Sequence, residues 1–186
     1  MVMIFAGGHI SGAHYNPAVT LGVWIRGACS AFEAGSYLLA QVIGAIVASL
    51  AAGFLLGHGS APAASTATAA QVILAEALGT FALVYTVLNV ATAPATSGNS
   101  FYGLAIGFTV FAQAVAVGKV SGGAFNPAVA IGVAVLGLAN VANLWIYWIS
   151  EFLGAGLAAV LFLVLNGNRL PEAAAASREI AQEQTT

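Results

Sequence analysis

Charge is what this sequence most lacks. Only 5% of its 186 residues are Asp, Glu, Lys or Arg, against roughly 25% in soluble domains. Four basic and six acidic residues leave a net charge of -2 at pH 7. No basic surface exists to neutralise phosphates, which excludes a nucleic-acid partner. Cys29 is the only cysteine. That excludes an internal disulfide and a thiolate metal cluster, and a lone thiol in apolar surroundings ordinarily just packs. The opening MVMIFAGG has no basic residue and too short an apolar run for a secretory leader. It reads as the end of a longer apolar element.

What is present is apolar: 60% of residues are hydrophobic and the mean hydropathy is +0.96. This composition belongs to a membrane protein. Four windows, near 37-57, 72-92, 101-118 and 141-165, are apolar over about 20 residues, enough helix to cross roughly 30 Å of hydrocarbon. The first and third hold no charge; the second holds only Glu76 and the fourth only Glu151. The connectors GHGSAPAASTATAAQ and APATSGNS have the small, polar composition of solvent-side loops, and a polar tail follows the last window.

Two further apolar stretches, Pro17 to Arg26 and Pro127 to Leu136, are too short to span and are each followed by glycine, Gly27 and Gly137. A helix of about ten residues covers only about half the hydrocarbon, so both read as re-entrant half-helices. Each begins with Asn-Pro, an N-cap acceptor followed by the residue best suited to N1, and ends one step before a C′ glycine. Three full windows separate them, so they enter from opposite faces and their N-termini meet near the midplane. Irregular backbone at that depth is tolerated only where it is buried in protein or lines a wet cavity, which predicts a central aqueous site.

The two stretches belong to a duplication. SGAHYNPAVTLGVWIRG begins at Ser11 and SGGAFNPAVAIGVAVLG at Ser121, and the offset of 110 also relates Tyr37 to Tyr147, Gly44 to Gly154 and Ala45 to Ala155. An odd number of spans between copies makes this an inverted repeat, the plan of many channels and transporters. Carried backwards, the offset puts counterparts of the windows at 72-92 and 101-118 near -38 to -18 and -9 to 8. The expectation is therefore a chain without the first span and most of the second. Arg169 and Arg178 in the tail, with Arg26, outnumber Lys119 on the opposite face, which favours a cytoplasmic tail by the positive-inside tendency.

With two NPA turns, each opening a half-length helix, and the segments GGHISGAHYNPAVTLG, YLLAQVIGA, AEALGTFALVY, YGLAIGF, GGAFNPAVAIG and WIYWISEFLGA, the chain resembles the major intrinsic protein family, the aquaporins and glycerol facilitators. The resemblance implies an all-α membrane protein: an aquaporin-like inverted-repeat bundle with two re-entrant half-helices. It divides one membrane domain into 1-35 (end of the second span, first loop and half-helix), 36-71 (span and loop), 72-118 (two spans), 119-140 (second loop and half-helix), 141-167 (last span) and 168-186 (polar tail). It also implies a homotetramer in the bilayer, with water or small neutral solutes as partners, no cofactor and no metal.

By that resemblance Asn16 and Asn126 donate hydrogen bonds at the pore centre. Two facing helix N-termini would repel cations there on physical grounds alone; the bland alternative is that both only cap helices. Pro17, Ala18, Pro127 and Ala128 shape the turns. Gly12, Ala13, Ala124 and Phe125, with Gly123, belong to extended segments whose carbonyls form an acceptor ladder. His14 either lines the cytoplasmic half of the pore or packs against the loop, and His9 is structural. Glu76 is a charge inside a span, a functional pointer by default, and by resemblance a scaffold for a re-entrant loop. Glu151 stands where relatives usually have proline and has no sequence-level account.

The largest departure concerns the outer filter. Relatives commonly carry arginine three residues after the second Asn; here Val129 stands there, with Ala114 on the fifth span and Gly123 in the loop, so each observable filter position is small or apolar. Such a filter is wide and has lost its fixed cation. The reading is a passive channel for water or small uncharged solutes. An ion-coupled carrier would need buried coupling groups, for which only Glu76 and Glu151 qualify; an inactive channel fragment is the bland alternative. An enzyme built on Ser11, His9 or His14 finds no acidic orienter, and none is expected.

Overall fold

The computed structural model describes residues 1–59 and 67–167. All regular elements among them are helices: α1 (Val2–Ser11), α2 (Pro17–Ile25), α3 (Ala31–Leu56), α4 (Ala69–Val87), α5 (Tyr102–Ser121), α6 (Pro127–Val135) and α7 (Leu144–Asn166). Four helical stretches are long and apolar enough to cross a bilayer: Ala31–Leu56, Ala69–Thr92, Tyr102–Ser121 and Val141–Asn166. Large apolar side chains such as Phe32, Phe54 and Val164 cover the outside, where hydrocarbon rather than water is the compatible solvent. This is an integral membrane protein. The polar tail, with Arg169 and Arg178, lies outside the described residues.

Helix boundaries depart from the hydropathy windows where capping, rather than apolarity, decides them. Ser30 and Glu33 form a capping box, Ser30 Oγ accepting from the Glu33 amide (3.1 Å) and Glu33 Oε2 from the Ser30 amide (2.7 Å), so α3 starts at Ala31 rather than near 37. Thr68 and Gln71 do the same for α4, which starts at Ala69. The divisions expected at 35 and 71 consequently fall inside α3 and α4, and the one at 118 falls inside α5. The span does not run as regular α-helix to 92: after α4 ends at Val87, Leu88–Thr92 continue it as a π-turn, a local widening that often marks functional sites.

The half-helices end in Schellman motifs, each closed by a left-handed glycine. At α2 the Gly27 amide (φ 79°) donates to Trp24 O and the Ala28 amide to Val23 O; at α6 Gly137 (φ 80°) and Leu138 donate to Ala134 O and Val133 O. The α2 terminus meets the end of α4, through Arg26 and Thr92. The α6 terminus meets the residues after α3, where the Gly59 amide donates to Leu136 O. Because α3 and α4 are consecutive spans, their C-termini lie on opposite faces, and so do the outer ends of the half-helices.

Close packing around them depends on small residues. A Cβ on Gly154 would stand 2.4 Å from the Ala77 carbonyl, and one on Gly22 would stand 2.4 Å from Val84 Cγ1, so glycine lets α7 and α2 approach α4. The core gathers Val19, Val23, Val84, Leu88, Ala155 and Phe162 between these three helices. Arg26 is fully buried, its guanidinium 4.9 Å over the Phe162 ring, with Nε and Nη2 donating to Thr92 Oγ1 and O, each at 3.3 Å. It is an interior tie at the outer end of α2.

Candidate functional site

The site forms where the N-termini of α2 and α6 meet. Asn16 and Asn126 sit in extended backbone (φ -158° and -162°) as N-caps of Pro-initiated helices. Asn16 Oδ1 accepts from the Ala18 and Val19 amides (2.8 and 3.3 Å), and Asn126 Oδ1 from Ala128 and Val129 (3.0 and 3.4 Å). Each side-chain oxygen is thereby turned into its own helix and each NH2 turned away from it. Across the junction, Asn16 Nδ2 donates to Phe125 O at 2.8 Å and Asn126 Nδ2 to Tyr15 O at 2.9 Å. The two turns clasp each other reciprocally. Capping and a facing pair, posed as alternatives by the sequence, are both present: the oxygens cap, and each NH2 spends one hydrogen on the opposite turn and keeps a second.

The loops before the Asn residues are not the extended segments expected. Gly12, Ala13 and Tyr15 have φ of 70°, 50° and 46°, and their repeat counterparts Gly122, Gly123 and Phe125 have 94°, 68° and 48°. Left-handed backbone at non-glycine residues costs about 1–3 kcal/mol each and persists only where the surroundings over-determine it. Here it is what aims the Tyr15 and Phe125 carbonyls across the junction. Ser11 and Ser121 anchor the loop entries in the same symmetric way, their carbonyls accepting from Tyr37 Oη (2.8 Å) and Tyr147 Oη (2.7 Å).

Two buried carboxylates hold the second loop. Glu76 Oε1 accepts from the Ala124 amide at 3.1 Å and Oε2 from the Phe125 amide at 2.7 Å, while Glu151 Oε1 accepts from the Asn126 amide at 2.9 Å. Three consecutive amides are thus taken by α4 and α7. Glu151, unexplained from sequence, fills the third. Phe125 was expected to contribute its carbonyl to the pore; its ring is buried against Gly79 of α4, where an added Cβ would stand 2.2 Å from it. Only its carbonyl faces the junction, because an aromatic side chain is more stable in the core formed by α4 than at a polar centre.

One side of the junction opens into a cavity of about 710 Å³, lined by His14, Asn16, Val87, Thr96, Tyr102 and Asn126 among others. Gly12, Ala13 and His9 also line it. The α4–α5 connector, expected to be a plain solvent loop, forms part of its wall: Asn99 Nδ2 donates to Val90 O and Thr96 O and folds the segment over the opening. Ala114, Gly123, Ala124 and Val129 do not line this cavity. Val129 is 43% exposed beside fully buried neighbours on α6.

Sequence reasoning passed over three contributors: Arg26 as an interior tie, the π-turn ending at Thr92, and the Thr20–Gln41 pair behind His14. Thr20 Oγ1 accepts from Gln41 Nε2 at 3.0 Å. The repeat offset, which pairs Gln41 with Glu151, was the available signal for that pair.

Comparison with known proteins agrees with this architecture. The major intrinsic protein family matches residues 1–162. The chain is 38% identical over 167 residues to Aquaporin TIP1-1 of Arabidopsis thaliana, covering 88% of this chain and 66% of that protein. It is 38% identical over 174 residues to Aquaporin NIP1-4 of Oryza sativa subsp. japonica (91% and 63%), and 39% over 158 residues to Aquaporin TIP2-1 of Zea mays (83% and 63%). It spans a little under two thirds of the length of these curated relatives. With two reciprocally clasped Asn-Pro-Ala turns and a match over most of its residues, the chain belongs to the major intrinsic protein family.

Proposed function

We propose that the protein is a passive transmembrane channel for water or small uncharged solutes, and not an enzyme. The observation that carries this is the reciprocal clasp of Asn16 and Asn126 at two facing helix N-termini. Each terminus presents roughly +0.5 of an elementary charge, so the junction is hostile to cations, while the remaining amide hydrogens offer a neutral hydroxyl two donors at fixed positions. The Oδ1 caps prevent either amide from turning over and presenting an acceptor. Glu76 and Glu151 hold the second loop in the strained backbone this needs.

Beyond the junction, Ala114, Gly123 and Val129 form an outer filter that is apolar and without arginine, so selection there rests on width rather than on a fixed cation. Pore-lining roles fall to His14 and to Gly12, Ala13, Ala124 and Phe125 through their carbonyls. The assembly is a homotetramer with one pore per subunit and a cytoplasmic tail. Vesicles containing the protein should shrink faster in a hyperosmotic step than protein-free ones, and Asn126→Asp, which places a charge among the donors, should change that flux sharply. Equal shrinkage with and without protein would end the channel reading.

A further inference from the structure

Thr20 lies in the first turn of α2 and its hydroxyl has three neighbours: it donates to the Asn16 carbonyl (3.1 Å), accepts from Gln41 Nε2 (3.0 Å) and stands 3.2 Å from His14 Nδ1. A hydroxyl has one hydrogen and two lone pairs. The hydroxyl hydrogen is directed at the Asn16 carbonyl, and an amide nitrogen only donates, so Gln41 takes one lone pair. What is left for His14 is a lone pair, and Nδ1 has to bring the hydrogen.

We propose that Thr20, backed by Gln41, is a positioning residue that fixes His14 as its Nδ1–H tautomer, leaving Nε2 as a hydrogen-bond acceptor facing the cavity. The ring's surroundings independently hold that orientation. His14 lies against Tyr37 with centroids 4.5 Å apart and planes at 36°, and the Tyr37 hydroxyl is engaged by Ser11 O. The Cδ2–Nε2 edge runs beside the left-handed Gly12 at the cavity wall, each atom 3.6 Å from where a Cβ of Gly12 would be.

The consequence rests on the channel reading. The Asn pair offers donors, and on the wall of the same cavity His14 Nε2 then adds a side-chain acceptor to those of the loop carbonyls. A carbonyl or ether compound without a polar hydrogen finds its donors but leaves the His14 acceptor unmet. The second repeat has Ala124 and Ala130 at the positions of His14 and Thr20, so the acceptor stands on one side of the clasp only.

Nitrogen-15 NMR of histidine-labelled protein in bilayers tests this, with the His14 signals identified by their loss in His14→Gln. The expected result is a protonated, pyrrole-type Nδ1 and an unprotonated, pyridine-type Nε2. Thr20→Val, which keeps the shape and removes the hydroxyl, should shift signal toward the Nε2–H form; Thr20→Ser should restore the original pair. A wild-type Nε2–H tautomer, or a Thr20→Val spectrum identical to wild type, would overturn the proposal. Osmotic flux into vesicles reads the channel separately: a non-conducting wild type defeats the functional reading while leaving the tautomer result to stand or fall on its own.

Discussion

Removing the Glu76 carboxylate is the sharpest test of how the second turn is held. In Glu76→Leu the part-buried Ala124 amide and the buried Phe125 amide lose acceptors at 3.1 and 2.7 Å, beside a Glu76 that is itself fully buried. An orphaned buried donor costs about 1–3 kcal/mol, so with the Ala124 amide partly open to solvent the pair costs roughly 2–4 kcal/mol. Losing the carboxylate also relieves its own desolvation, but that penalty is already offset in the native protein by two charge-assisted bonds. The net expectation is destabilisation, with Glu76→Gln, which keeps one acceptor oxygen, falling between wild type and Leu. The low end of about 2 kcal/mol corresponds to a fall in Tm of roughly 4–8 °C for a chain of this size. The damage reaches the clasp, because the Phe125 carbonyl that accepts from Asn16 is carried by the same strained residue (φ 48°). Thermal unfolding in detergent and osmotic flux in vesicles are the assays. A Glu76→Leu protein with wild-type Tm and flux would show that the carboxylate does not hold this loop.

Further outcomes follow from single contacts. Gly154→Ala should be poorly tolerated, costing about 1–3 kcal/mol through overpacking, because its Cβ would meet the backbone of α4; Gly44→Ala, the repeat counterpart with nothing within 4 Å, should melt like wild type. Equal behaviour of the two would refute the packing argument. Val129→Arg should cut glycerol uptake relative to water, read by stopped-flow scattering with each solute; an unchanged ratio would remove Val129 from the filter. Cys29, in the α2–α3 connector, has its thiol pushed up to about 11 by burial and by nearby Glu33. Only the thiolate reacts, so maleimide labelling of the folded protein should be slow at pH 8 and keep rising up to about pH 11, whereas the unfolded chain should level off near the ordinary thiol pKa of about 8.5. A folded protein that levels off there too would contradict this placement.

Legibility from sequence followed the range of the interaction. The four spans rest on apolar length, and the half-helices on Asn-Pro starts and Gly27 and Gly137 stops, all local properties of the chain. The 110-residue offset gave the inverted plan and paired Tyr37 with Tyr147, whose hydroxyls do make equivalent bonds. The true starts of α3 and α4 were also readable, as the capping boxes at Ser30 and Thr68, but hydropathy alone misses them because a box is a matter of four residues rather than twenty.

Sequence by itself thus determined the elements, their membrane character and the symmetry that brings two Asn residues to one place. Tertiary structure alone decided which atoms they use there. Whether an Asn amide caps, clasps or donates depends on a partner carbonyl more than a hundred residues away. The Phe125 ring went to the core because Gly79 on α4 leaves room for it, and Glu151 acquired a role because α7 brings it to the Asn126 amide. Hydropathy records that a residue is buried; only the packed arrangement supplies the donor or acceptor that makes burial of a polar group tolerable.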